Sequence, residues 1–477
     1  MGKRTHCLPH LAAIGSFALI AYAGDAGATD GYFDSTWAGG GRIVFAGDVH
    51  NPTRATEVLQ VLPENNGNLL LGGHVNPSGA DYWWLGELLP DGTLAPTFGE
   101  GNGLTTSCRL SANLCSGDGL SAFALQSDGH IDVTDGKTLT RTTVHAQALD
   151  SAGVFGGTGS VSLVVPIDSF HGSMTHGYAI APTSSGKWMA AGEGFYSTAT
   201  SGNSDFAAIR LNANLSLDTS FNNTGGFSGG QLVAFDGGNG NADAARAVIV
   251  QSGGRIVLAG YSSPSGEATF VRLNANGSLD STFGGGGTGT MILNGMDGSY
   301  FTPHSVEVDR AGRLLVVTSP TNKVLIPSLI VVRLTPDGVL DTALGSTGIF
   351  KVPVPDTCAF GASASALALD SAGRILLAGT CRTTASAQVF LVARLNGQDG
   401  SLDANFGVDG FSYGVFDAVS TYDDATDIVI DGGGRPIVVG SSLPAGGIRK
   451  AGVARLTYDL IFTNDFETAP RGYLPGQ

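Results

Sequence analysis

Seven leucines recur at a nearly constant interval, Leu88, Leu149, Leu211, Leu273, Leu334, Leu395 and Leu456, with steps of 61, 62, 62, 61, 61 and 61 residues. A period that regular means one supersecondary unit copied in tandem, each copy relying on its neighbours to bury an apolar face. The repeat overrides the division into about three domains that a chain of 477 residues would otherwise predict.

Each copy carries two hairpin signatures. The first is a turn rich in Asp, Ser and Gly followed by an apolar run ending in a small residue. It reads Asp370 to Gly373 then Arg374 to Gly379, and Gln251 to Gly254 then Arg255 to Gly260, with weaker turns at Gly67, Gly129, Gly186, Gly312 and Gly434. Glycine permits the positive φ that such turns require. The preceding arm alternates, as in Ala366 to Leu369, which fits a half-buried strand. The second signature is an apolar strand, Arg-Leu, a turn and Leu-Asp-x-x-Phe-Gly, clearest from Phe270 to Gly284 and from Leu391 to Gly407. A short strand follows, for example Gly348 to Val352.

Four strands per unit and seven units between about Phe33 and Leu456 predict an all-β fold. The expected form is a seven-bladed β-propeller of four-stranded antiparallel blades, spanning residues 30–457. The chain enters mid-unit at Phe33 to Gly39 and stops at Gly452 to Leu456, where the next Leu-Asp-x-x-Phe is due. The two half-units are therefore expected to close the ring and remove two open sheet edges.

The run Arg-Leu-Asn-x-x-Gly-Ser-Leu-Asp-x-x-Phe-Gly, with Gly-Arg-Ile-Leu-x-Ala-Gly following later, resembles the delta-60 repeat of exported bacterial proteins. The resemblance covers most of the chain and weakens around residues 140–165, where Leu149 to Gly153 keeps the turn and loses Asp-x-x-Phe. It implies a propeller-like scaffold and supplies no general catalytic residues.

Export is also read from the N-terminus. Lys3 and Arg4 precede an apolar run from Leu11 to Ala23, with small residues at Ala21 and Ala23, so residues 1–23 form the expected signal peptide. No transmembrane segment is expected in the mature chain. A net charge of −16 argues against a nucleic-acid partner. The expected location is periplasmic, cell-surface or extracellular, and a monomer is expected. Four cysteines remain after the signal, and none forms a CxxC pair. Cys108 and Cys115 share one loop, while Cys358 and Cys381 flank one hairpin, so Cys108–Cys115 and Cys358–Cys381 are the expected disulfides.

The repeating charges read as structural ion pairs: Arg210 with Asp218, Arg272 with Asp280, Arg333 with Asp341, Arg394 with Asp403, and Arg455 with Asp34 after closure. Two units lack this arginine, one having Glu87 with Ala95 and the other Ala148 with no Asp. A ring of calcium ligands is the competing reading, but one Asp per unit cannot converge on one ion. No metal or cofactor is implied.

The tight turns and the Arg-Leu connections share one rim; the long, variable connections share the other. That second rim holds the candidate ligand-binding residues His50, His74, Asp81, His171, His176, Tyr196, Tyr261, Tyr300, His304, Tyr422, Asp423 and Asp424, with Asp243 and Asp297 nearby. Tyr82, Trp83 and Trp84 could stack on carbohydrate or pack within a blade. No nucleophile elbow or metal-ligand spacing occurs in credible context. The leading reading is a non-catalytic scaffold binding a protein, glycan or small ligand. The alternative is a secreted hydrolase or lyase, which would bring two or more rim acid–base groups within ~3–4 Å of one another.

Overall fold

The computed structural model describes residues 31–457 except 49–51, 76–80, 112–113, 115–118, 155, 167–171, 197–203, 223–227, 236–241, 263–266, 294–300, 321–328 and 384–386. β1 (Arg42–Phe45) comes first. The first four-stranded sheet is β2 (Thr56–Pro63), β3 (Leu69–Val75), β4 (Tyr82–Leu88) and β5 (Leu104–Thr106). The second is β6 (Ala122–Leu125), β7 (Ile131–Thr134), β8 (Thr138–Thr142) and β9 (Ser160–Ser162). A fifth strand, β10 (Val165–Pro166), joins β11 (Gly172–Pro182), β12 (Trp188–Tyr196), β13 (Ser204–Leu211) and β14 (Gly230–Val233). Two more sheets follow: β15 (Asp243–Val250), β16 (Ile256–Ser262), β17 (Glu267–Leu273), β18 (Thr290–Leu293), and β19 (Phe301–Val308), β20 (Leu314–Pro320), β21 (Ile330–Leu334), β22 (Ile349–Lys351). The rest are β23 (Ala362–Leu369), β24 (Ile375–Arg382), β25 (Gln388–Leu395), β26 (Phe411–Gly414), β27 (Ser420–Ile430), β28 (Pro436–Pro444) and β29 (Lys450–Arg455).

The expected seven separate four-stranded blades do not form. Among the described residues five sheets stand as discrete blades, four of four strands and one of five, and the remaining eight strands make one continuous sheet. The join is a parallel pairing of Gln388 on β25 with Tyr422 on β27. β26 pairs with β25 only from Phe390 to Ala393, so the backbone at Gln388 is left open. The long β27 reaches that open end and satisfies it, because an unpaired edge recruits whatever strand lies beside it.

β1 pairs antiparallel with β29, Arg42 opposite Ala454 through Phe45 opposite Ala451. Phe33 bridges Leu456 just beyond. The first strands β2, β6, β11, β15, β19, β23 and β27 pack side by side around the axis, and β27 returns to β2. Polar contacts secure that return: Val61 N–H donates to Asp427 Oδ2 at 2.9 Å, and the Thr426 hydroxyl donates to Val58 O at 2.6 Å. The all-β propeller therefore surrounds a central channel, with apolar clusters between adjacent sheets. Trp83 and Trp84 lie buried in two such clusters, so the carbohydrate-stacking reading of these indoles is withdrawn.

Arg210, Arg272 and Arg333 are staples between sheets. Arg272, Arg333 and Arg394 are 0% exposed. Arg272 Nε lies 2.7 Å from Asp280 Oδ2, Arg333 Nε 2.8 Å from Asp341, Arg210 Nε 2.6 Å from Asp218 and Arg394 Nε 2.9 Å from Asp403. The same guanidinium also donates to a carbonyl in the next sheet's turn: Arg210 to Ala275 at 2.6 Å, Arg272 to Pro336 and Arg333 to Gly397. The arginine of the glycine turn completes the group, with Arg374 at 3.4 Å from Asp403 and Arg313 at 3.4 Å from Asp341.

The second unit corrects the leucine count. Thr142 bridges Leu149 just as Leu211 bridges Leu217 and Leu273 bridges Leu279. Thr142 therefore holds the repeat position, and Leu149-Asp150 is the Leu-Asp that follows it. The arginine is present after all, as Arg141, but it pairs with Asp132 at 2.8 Å and donates to Ala213 O at 2.7 Å. The preceding unit inverts the staple: Glu87 takes an Asn68 hydrogen bond and lies 3.4 Å from His145 Nδ1 of the next sheet.

Six of the inner strands carry one extra residue at the same place: Leu59, Tyr178, Arg246, His304, Ser365 and Thr426. Five of these bulges face the glycine that ends the neighbouring strand's apolar run. A Cβ on Gly73, Gly192, Gly260, Gly379 or Gly440 would lie 1.8–1.9 Å from a carbonyl oxygen of the bulged strand. The terminal glycine of the repeat is thus a clearance requirement set by the bulge.

Cys358 is disulfide-bonded to Cys381 with a Cα–Cα distance of 5.1 Å. Cys108 is also disulfide-bonded, and Cys115 lies outside the described residues.

Candidate ligand-binding site at the channel mouth

A β-bulge re-aims the side chains around it. Tyr178 on β11 and Arg246 on β15 are the bulge residues of adjacent sheets, and the Arg246 guanidinium lies 3.8 Å from the Tyr178 ring centroid. Tyr261, near the end of β16, approaches the same guanidinium, its ring centroid at 5.5 Å and its hydroxyl at 3.4 Å from Nη2. Behind Tyr178, Glu193 on β12 collects three groups. The Tyr178 hydroxyl donates at 3.0 Å, the Ser204 hydroxyl at 3.4 Å, and His176 Nδ1 lies 3.1 Å away. Burial and the Glu193 charge push the Tyr178 phenol up to about 12, so it keeps its proton across the physiological range.

Arg246 is exposed, and among the described residues no carboxylate lies within salt-bridge distance of it. His304 occupies the equivalent bulge one sheet further on, and burial by its surroundings holds its imidazole below the ordinary value. Tyr178, Arg246 and His304 therefore follow one another on three adjacent inner strands.

A second cluster lies where the first and last sheets meet. Arg449 Nε is 3.4 Å from Glu57, and its Nη1 is 3.1 Å from Asp424 Oδ2 and 2.8 Å from Ser441 Oγ. The Tyr422 ring lies 5.7 Å from the same guanidinium. Burial, with Asp424 and Asp81 adding to it and Arg449 opposing, holds the Glu57 carboxyl above its ordinary value. Here the cation already has two carboxylate partners, and the group serves as a seam.

The remaining candidates are scattered. Asp423 is buried and accepts the Phe416 N–H at 3.0 Å, fastening the β26–β27 connection, and burial pushes its carboxyl up to about 6. Asp243 accepts Phe235 N–H at 3.3 Å in the equivalent position. His74 ends up on β3, its imidazole lowered by burial with the Asp81 charge opposing. His50, His171, Asp297 and Tyr300 lie outside the described residues, as does the side chain of Tyr196. Among the described residues, only His176 and Tyr261 of the expected set meet in the channel-mouth cluster. Tyr178, Glu193 and Arg246 were not anticipated. The available signal was Arg246 itself, the sole charge in the apolar stretch Ala244 to Val250.

Among the described residues no group of three or more His, Cys, Asp or Glu side chains could hold a metal ion. No helix among them is long and apolar enough to cross a membrane.

The family model described as "Domain of unknown function (DUF5122) beta-propeller" matches residues 183–221, 251–283 and 373–406. A search of curated proteins found no match. Among solved structures, a protein of unknown function from Dyadobacter fermentans is similar at 10% identity and TM-score 0.43, covering 88% of this chain and 98% of that one. An ulvan lyase of polysaccharide lyase family PL25 is similar at 10% identity and TM-score 0.41, covering 89% and 94%. The intramolecular trans-sialidase from Ruminococcus gnavus is similar at 9% identity and TM-score 0.39, covering 87% and 97%. Likenesses this distant carry no argument about activity. The three matched segments each contain an Arg–Asp staple, Arg210 with Asp218, Arg272 with Asp280 and Arg394 with Asp403.

Proposed function

We propose that this chain is an exported, non-catalytic β-propeller of the delta-60 repeat type that binds a glycan or small ligand at the long-loop mouth of its channel. Residues 1–23 act as the signal that directs export, and the Cys358–Cys381 disulfide fits an oxidising compartment. The observation that carries the reading is the meeting of His176 and Tyr261, from adjacent sheets, around Tyr178 and Arg246. Aromatic faces with a few polar groups on rigid strands are the ordinary make-up of a binding site. A glycan array probed with the mature chain tests it. Specific binding that Tyr261→Ala abolishes supports the reading, and binding unaffected by that change rejects this location.

A second reading is favoured by one distance pattern. His176, Tyr178 and Glu193 converge at 3.0–3.1 Å, within reach for proton transfer. The enzyme alternative, hydrolase or lyase, would use them as acid–base groups. Incubation of the purified chain with bound glycans distinguishes the two: new reducing or unsaturated ends identify an enzyme, and intact glycan identifies a binding protein.

A further inference from the structure

Arg246 differs from the arginines of the repeat. The chain carries a net charge of −16. The repeat arginines are consumed by carboxylates at 2.6–3.0 Å and by neighbouring carbonyls. Arg449, which also has an aromatic neighbour, is held by Glu57 and Asp424. Arg246 instead stands exposed on a bulge, with a tyrosine ring on one face and a tyrosine hydroxyl at its edge.

Resting on the binding reading above, we infer that Arg246 is the carboxylate seat of this site and that its ligand is an oligosaccharide bearing uronic-acid residues. A planar guanidinium matches a carboxylate with two parallel hydrogen bonds. Tyr178 holds the guanidinium over its ring, and among the described residues no carboxylate takes the outer edge of the fork. Glu193, the carboxylate of the cluster among the described residues, accepts hydrogen bonds from Tyr178 and Ser204 and lies 3.1 Å from His176. The polar edges of Tyr261 and His176 suit ring hydroxyls. His304 and Ser365 follow on the next two bulges, hydrogen-bonding groups that suit a sugar chain better than an acidic peptide.

Isothermal titration of the mature chain with oligogalacturonate, its fully methyl-esterified form and polyglutamate provides the test. Oligogalacturonate should bind, and the neutral ester should bind about tenfold or more weakly. Arg246→Gln should impose a similar loss on the acid form alone, and Arg246→Lys should restore part of it. An unchanged thermal transition shows that the variants are folded, and Tyr261→Phe offers a second, milder probe. Equal binding of the ester, or full affinity in Arg246→Gln, overturns the carboxylate seat while leaving the binding reading in place. Polyglutamate bound as tightly as oligogalacturonate overturns the saccharide assignment. Failure of this probe and of every glycan on an array rejects the binding reading itself.

Discussion

Arg455 Nη1 donates to the carbonyl oxygen of Pro90 at 3.0 Å, across 365 residues of sequence. The same guanidinium holds Asp34 through Nε at 3.0 Å and Nη2 at 2.9 Å. One side chain thus ties the last sheet to the turn at Asp34 and to the first complete sheet. At Arg210, Arg272 and Arg333 the staple joins consecutive units; here it joins units far apart in sequence.

Removing that tie should open the ring. Arg455→Ala is expected to destabilise the protein by about 2–3 kcal/mol, because it removes the nearer cation of Asp34 and leaves only Arg435, at 3.7 Å. Urea denaturation measures this. Arg310→Ala, at an exposed turn, should stay within about 0.5 kcal/mol of the parent. Equal effects would mean that the closing staple contributes nothing.

The staples predict acid lability. Burial would raise the Asp34 and Asp280 carboxyls, but hydrogen bonds from Thr36 or Thr282 and the partner arginine hold both below the ordinary 3.8. Asp218 and Asp341 are lowered in the same way. Protons therefore favour the unfolded chain, so this stabilisation is complete above about pH 5 and fades as pH falls below about 4. Denaturation midpoints measured from pH 6 down to 2 should drop steeply at the low end, and Thr282→Val should shift the drop upward.

The channel behaves in the opposite sense. Burial pushes Glu307 up to about 7, with the Asp427 charge adding to it, and burial pushes Asp427 itself up to about 7. The unfolded chain ionises these groups first, so their contribution to stability falls as pH rises from about 4.5 to 7 and then levels off. Glu307→Gln should stabilise the protein on the order of 1 kcal/mol at pH 8, a figure reduced for channel water, and should be neutral at pH 4. Stabilisation at both pH values would place the cause elsewhere.

Two glycines of one hairpin should respond differently. Gly379→Ala sets a Cβ 1.9 Å from the Ser363 carbonyl oxygen, which the bulge cannot move without breaking the ladder. A loss of about 3 kcal/mol or more is expected. Gly373 has φ of +76° and nothing within 4 Å of a new Cβ, so Gly373→Ala should cost only about 1 kcal/mol of backbone strain. Thermal melts of the two variants provide the comparison.

Cys358 and Cys381 close a loop with a sequence separation of 23. On the chain-entropy account, replacing both by serine should remove about 3 kcal/mol. Thiol titration of the unfolded, unreduced exported protein should find neither cysteine free.

The sequence by itself determined the all-β class, the four-strand unit and the Arg–Asp partnership. Each of these is local: the pair Arg272 and Asp280 spans one turn, and alternation within a strand is visible in any short window. It misled where a local signal was imitated. Leu149 sits at the expected spacing, yet it is the Leu-Asp leucine of its unit, because Thr142 took the repeat position and left no apolar mark.

Only the tertiary structure decided how many sheets stand alone, since Gln388 and Tyr422 meet through an edge that β26 leaves short. Likewise only the tertiary structure assembled the channel-mouth site. Tyr178 and Arg246 are 68 residues apart, and they meet because one extra residue in each inner strand swings its side chain off the alternating pattern. A bulge is set by pairing with the neighbouring strand, whose terminal glycine clears the space for it, and that pairing is not written in the residues that bulge.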